Sequence, residues 1–184
     1  IFLNHLSPVF ETINLLKKRK EKETLIGFCG SPFTVLTYMI EGKTSKDHFK
    51  TKVSLIKYKD RINDLLKILT DFSITYLEGQ IQAGAEVIQL FESWAGVPNK
   101  SQYEETIIQP NQRIVQYLKK KYPRIKIICF TKGNGKNLYS FLKKVSCDVI
   151  SVQEIEDERV IDFCYEKKIA VQGNLDPVDL YVGG

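Results

Sequence analysis

The chain has 184 residues, of which 43% are hydrophobic and 27% charged, with a net charge of +5. That composition excludes a disordered polymer and fits one globular domain with a sizeable core, and no apolar run reaches the roughly 18 residues of a membrane span. The basic excess is mostly lysine on the polar faces of helix-like stretches, without the arginine and aromatic interleaving that reads bases, so no nucleic-acid partner is expected.

In chain order, "SPVFETINLLKKRK" (7–20) predicts an amphipathic helix with Ser7 as N-cap, Pro8 in the first helical position and Val9, Ile13 and Leu16 on one face. The strand "TLIGFCG" (24–30) and the helix-like "SPFTVLTYMIEG" (31–42) follow. One long helical region is expected over 46–82, with Ile62, Leu65, Leu66, Leu69, Phe72 and Tyr76 among its apolar residues. Next come the strand "AEVIQLFE" (85–92), the loop "SWAGVPNK" (93–100), a helix over 101–121 and the strand "RIKIICFT" (124–131). The helix "GKNLYSFLKKV" (135–145), the strand "CDVISV" (147–152), the helix "EDERVIDFCYEKK" (156–168) and the strand "IAVQGNL" (169–175) complete the order.

The five strand-like runs are near-continuously apolar, which predicts a parallel sheet buried on both faces and wrapped by helices. A doubly wound sheet and a piece of a (β/α)8 barrel both fit. The first strand ends Gly27-Phe28-Cys29-Gly30, and "KGNGKN" (132–137) matches neither the G-x-G-x-x-G fingerprint nor a P-loop, so the barrel is favoured. A complete barrel typically needs about 250 residues. With Ile1 at its start and Gly183-Gly184 at its end, the chain reads as a cut piece: 1–184 is expected to be a single partial TIM-barrel domain, truncated at both ends.

In such a fold, function gathers where strands end. Those positions hold Gly30-Ser31-Pro32-Phe33, Glu92-Ser93-Trp94-Ala95-Gly96, Thr131-Lys132-Gly133, Gln153-Glu154 and Gln172-Gly173-Asn174-Leu175-Asp176-Pro177. Each also has a plain structural reading. Ser31 and Asn174 can cap, Tyr38 can be a core aromatic and Asp176-Pro177 is an ordinary turn pair. The four cysteines, Cys29, Cys129, Cys147 and Cys164, form no C-x-x-C pair and are read as reduced packing residues. His5 and His48 are the only histidines and neither adjoins a strand end, so no metal site and no Ser-His-carboxylate triad is expected. Acid-base work would fall to carboxylates, Tyr38 or Lys132.

Taken together, "GFCGSPFTVLTYMIEG", "AGAEVIQLFESWAG", "ICFTKG" and "VQGNLDPVDLY" resemble the successive strand-end motifs of the uroporphyrinogen decarboxylase family, over essentially the whole chain. The resemblance implies a (β/α)8 barrel, a homodimer at full length, with these residues as strands three to seven; a cytoplasmic location is the default expectation for a sequence without a membrane-span run or signal-peptide order. It implies removal of CO2 from the four acetate arms of uroporphyrinogen III, giving coproporphyrinogen III, with the tetrapyrrole as partner, no metal and no organic cofactor. Tyr38 in "TYMIEG" and Ser93 in "FESWAG" then match substrate-contact positions, Gly27 and Gly30 match close-packed strand-end glycines, and Phe33 takes a place where relatives often have tryptophan. The family's catalytic aspartate, its arginine-rich segment and a late histidine lie outside this chain. No catalytic residue is therefore assigned within it. At the fourth strand end "SVQEIED" puts Gln153 and Glu154 where many relatives have aspartate and tryptophan. Two alternatives accompany this reading: an inactive or diverged member acting as a non-enzymatic partner, and a zinc- and corrinoid-linked methyltransferase on the same barrel.

Overall fold

The computed structural model describes residues 2–153, 155 and 157–183. Helix α1 (Phe2–Arg19) starts before the predicted cap and runs through Pro8. Proline lacks the N–H that would bond the carbonyl four residues back. Here the Ser7 hydroxyl donates to that same Asn4 carbonyl at 3.0 Å, so Ser7 repairs the helix interior and does not cap its end.

Strand β1 (Ile26–Gly30) leads into α2 (Pro32–Glu41), with Pro32 in the first turn and Gly42 in the left-handed region closing it. The single helix expected over 46–82 is two: α3 (Phe49–Lys57) and α4 (Lys59–Ala83), broken at Tyr58. No proline or glycine marks the break. Because α3 packs on both α2 and α4, tertiary packing sets the bend, and local propensity does not announce it.

After β2 (Val87–Glu92), Asn99 opens α5 (Lys100–Tyr103) with a reciprocal capping box to Gln102. A π turn over Glu104–Ile108 joins it to α6 (Gln109–Lys121), whose Pro110 follows the widened turn. Strand β3 (Lys126–Thr131), α7 (Leu138–Lys144), β4 (Val149–Ser151), α8 (Arg159–Lys167), β5 (Ala170–Gln172) and α9 (Pro177–Val182) follow.

The strands are parallel and lie in the order β1-β2-β3-β4-β5. A doubly wound sheet reverses direction at a switch point, whereas this order advances one strand at a time, as in an arc of a (β/α)8 barrel. On the helix-covered face, Ile88, Leu90, Ile127, Cys129 and Ile150 are buried among Leu66, Leu77, Ile114, Leu118 and Phe141. The expectation of burial on both faces fails on the other side, where Phe28 is 60% exposed. Gln89, Phe91 and Phe130 on that face are only half-buried. Among the described residues no facing strand fills the concave side, so Phe28 meets solvent there, although Ile128 on the same face is still covered. The four cysteines are free and buried.

Candidate functional site

The site is built where β1 and β2 end. Ser31, wholly buried, stands at the N-cap position of α2 yet makes no capping bond with its side chain. Its N–H donates to the Phe91 carbonyl at 2.9 Å and its hydroxyl donates to Asn111 Oδ1 at 2.8 Å. Asn111, just after the π turn, donates from Nδ2 to the Ile107 carbonyl at 2.8 Å and to Glu92 Oε2 at 3.2 Å. The other carboxylate oxygen of Glu92 accepts from the Thr34 hydroxyl at 2.6 Å, and that hydroxyl oxygen accepts the Ser93 N–H at 2.8 Å. Three elements meet in one buried hydrogen-bond chain.

Strand alternation turns Glu92 toward the helices, where it is 1% exposed. Burial pushes its carboxyl up to about 7, against the pull of the bonds from Thr34 and Asn111. Burial also pushes the neighbouring Cys29 thiol up to about 12, and raises Tyr103, whose hydroxyl bonds Asn134 Oδ1.

Outside this layer lie the two residues singled out by sequence. Ser93 is half-buried at the rim, and the Tyr38 ring, 45% exposed, stands 6.0 Å from the ring of Trp94. Tyr38 and Ser93 thus meet through the residue that follows Ser93. The reading that kept His48 away from the strand ends is corrected: its buried ring lies 4.4 Å from Trp94, brought there by the turn between α2 and α3. Among the described residues His48 Nδ1 and Trp94 Nε1 have no hydrogen-bond partner. Sequence distance hid this contact, since 46 positions separate the two residues.

Sequence reasoning also missed an aromatic row on the concave face. Phe28 and Phe91 meet edge to face at 5.9 Å, and Phe91 meets Phe130 at 5.8 Å. The signal was available: parallel pairing in register brings Phe91 beside Phe130, and each precedes a strand-end motif by one residue. A second close approach fixes the rim loops, for a Cβ on Gly96 would collide with the Gly133 carbonyl oxygen.

The remaining strand-end residues are scattered. Lys132 is exposed, with its N–H donating to the Glu92 carbonyl at 3.1 Å, and Gln153 is exposed. Glu154 lies outside the described residues. Asn174 does not cap α9; Asp176 does, accepting the Val178 N–H at 2.7 Å. Among the described residues no group of three or more His, Cys, Asp or Glu side chains could hold a metal ion, and no helix is long and apolar enough to cross a membrane. Chemically, the rim offers hydroxyl donors beside a ring-lined apolar surface.

Residues 2–184 match the family model described as "Uroporphyrinogen decarboxylase (URO-D)". Curated relatives named uroporphyrinogen decarboxylase include one from Novosphingobium aromaticivorans, 37% identical over 97% of this chain and 53% of its own length. The relative from Rickettsia bellii is 38% identical over 95% of this chain and 52% of its own, and that from Orientia tsutsugamushi 40% over 94% and 50%. The chain therefore spans about half the length of the curated relatives it matches. Among solved structures, a methyltransferase from Methanosarcina mazei superposes with a TM-score of 0.72 at 19% identity, covering 91% of this chain and 48% of the other. That likeness concerns the fold alone.

Proposed function

This chain belongs to the uroporphyrinogen decarboxylase family, and from that premise we propose that it supplies one arc of a barrel that removes CO2 from the acetate arms of uroporphyrinogen III, giving coproporphyrinogen III. Residues 1–184 are read as one partial barrel domain. The observation that carries the reading is the meeting of two surfaces at one end of the sheet. The open ring row of Phe28, Phe91 and Phe130 runs up to a rim where Ser93 and the Trp94–Tyr38 pair stand together.

In this reading the phenylalanine rings carry the pyrrole faces, and the Tyr38 and Ser93 hydroxyls donate to acetate carboxylates. Loss of CO2 from an acetate arm leaves an electron pair on the methylene unless the pyrrole has first taken a proton at its ring carbon. The resulting cation needs a carboxylate near the pyrrole N–H groups. Glu92 does not supply it. Its side chain is on the helix side of β2, with both oxygens already accepting hydrogen bonds. The family resemblance puts the stabilising carboxylate in a part of the barrel outside these residues and implies a reaction without metal or organic cofactor. The resemblance alone extends the reading to a homodimer, with the cytoplasm as its default location.

The test supplies the purified chain with reduced uroporphyrinogen III under anaerobic conditions and separates the porphyrins after oxidation. No coproporphyrin above a no-protein control is expected, whereas a longer chain carrying these residues with the rest of the barrel should form it. Product from the 184-residue chain alone would overturn the placement of the carboxylate elsewhere.

A further inference from the structure

We infer that Glu92 is a positioning residue that sets the main chain of Ser93 through the Thr34 hydroxyl, and thereby aims the Ser93 side chain at the ligand. The inference rests on the proposed role of Ser93 as a substrate contact. It begins from proton counting. The Thr34 hydroxyl has one hydrogen, which goes to Glu92 Oε1 at 2.6 Å, and this leaves a lone pair directed at the Ser93 N–H, 2.8 Å away. Without an acceptor at Glu92 the hydroxyl is free to rotate, and nothing keeps its lone pair on Ser93.

The second oxygen of Glu92 is held just as firmly. It accepts from Asn111 Nδ2, and Asn111 is itself fixed by the Ile107 carbonyl and the Ser31 hydroxyl. Both groups facing the carboxylate are donors, so in its ionised form, above about pH 7, Glu92 is acceptor-only and satisfies them together. An amide at this position has one acceptor oxygen and one donor nitrogen, so it can accept from only one of the two and turns a donor on the other, which Asn111 could meet only by turning over and losing its bond to the Ile107 carbonyl. The network is buried while Ser93, one residue on, is the point where β2 reaches the rim. A change at Glu92 is thus transmitted to a ligand-facing residue without touching the ligand.

Two readouts test this on the full chain. In the first, amide exchange of 15N-labelled protein compares the Ser93 N–H with the Lys132 N–H, which bonds the Glu92 main-chain carbonyl and so serves as an internal control. Thr34→Val should speed Ser93 exchange about tenfold and Glu92→Gln about threefold, with Lys132 changed less than about twofold. Unchanged Ser93 exchange in either variant, or equal acceleration at Lys132, overturns the inference.

In the second, uroporphyrin III, the stable oxidised form of the proposed substrate, is titrated against wild type, Ser93→Ala, Glu92→Gln and the double variant. Ser93→Ala and Glu92→Gln should each weaken binding about fivefold, and the pair no more than Ser93→Ala alone. If Ser93→Ala weakens binding and Glu92→Gln is neutral or additive, positioning fails while the substrate reading stands. If Ser93→Ala has no effect, the substrate reading fails, and with it the claim that Glu92 aims Ser93 at a ligand.

Discussion

The Gln80 side chain holds the peptide groups of Phe28 as a neighbouring strand would: its Oε1 accepts the Phe28 N–H and its Nε2 donates to the Phe28 carbonyl, both at 2.9 Å. Gln80 is itself buried on α4, and a Cβ on Gly27 would stand 2.7 Å from its Oε1. The small residue before Phe28 is what lets the amide reach the free edge of β1.

Replacing Gln80 with leucine keeps the volume and removes both bonds. The cost should be about 2 kcal/mol, two main-chain hydrogen bonds at roughly 1 kcal/mol each, read as a lower urea midpoint with an unchanged slope. The variant should also self-associate more readily by light scattering, because the edge it exposes can pair with another chain.

Gly96→Ala should distort the rim, since the new methyl collides with the Gly133 carbonyl oxygen, a backbone atom that cannot swing away. Trp94, the single tryptophan of the chain, sits two residues before it and reports the change directly. A shift in tryptophan emission together with a loss of about 1–3 kcal/mol is expected. Unaltered emission would show that the two loops do not constrain each other.

Glu92 makes stability depend on pH in a defined direction. Its carboxyl is raised from 4.5 to about 7 in the fold by burial, so the folded chain holds a proton that the unfolded chain releases. The contribution is complete below about pH 4.5 and is lost as pH rises through about 7, by an amount on the order of 3 kcal/mol. The nearby Cys29 and Tyr103 are both shifted upward and stay neutral across that window. Unfolding of wild type and Glu92→Gln measured from pH 4 to 8 should diverge only above about pH 5, wild type losing stability relative to the variant. Parallel curves would contradict the burial of a titrating carboxyl.

Tyr38→Phe should weaken uroporphyrin III binding by about 1 kcal/mol, the scale of one polar contact, and leave stability nearly unchanged, since the ring contact with Trp94 survives. An unchanged Kd would return Tyr38 to a packing role.

Strand runs as apolar as "VIQLF" and the ring-to-rim motifs made the strands, their parallel pairing and the residues at their ends readable from sequence, because period and spacing are local properties. What escaped was set by contacts between distant segments. The Tyr58 break depends on α3 covering α2, the neighbourhood of His48 and Trp94 depends on a turn that folds back, and Pro8 gave a false helix start because Ser7 takes over the carbonyl the proline leaves. Glu92 could be located at a strand end. Only the alternation of β2 shows that it faces the helices, where it accepts from the Thr34 hydroxyl that binds the Ser93 N–H.

The central claim is that the ring row and the Ser93–Trp94–Tyr38 rim form one tetrapyrrole-binding surface. Chemical-shift mapping of the 15N-labelled chain titrated with uroporphyrin III tests it most directly. Saturable perturbations should concentrate at Phe28, Phe91, Ser93, Trp94 and Tyr38, with quenching of Trp94 emission along the same isotherm. Perturbations confined to the opposite end of the strands, around Glu86, Tyr122 and Asp148, or spread evenly over the surface lysines, would contradict it.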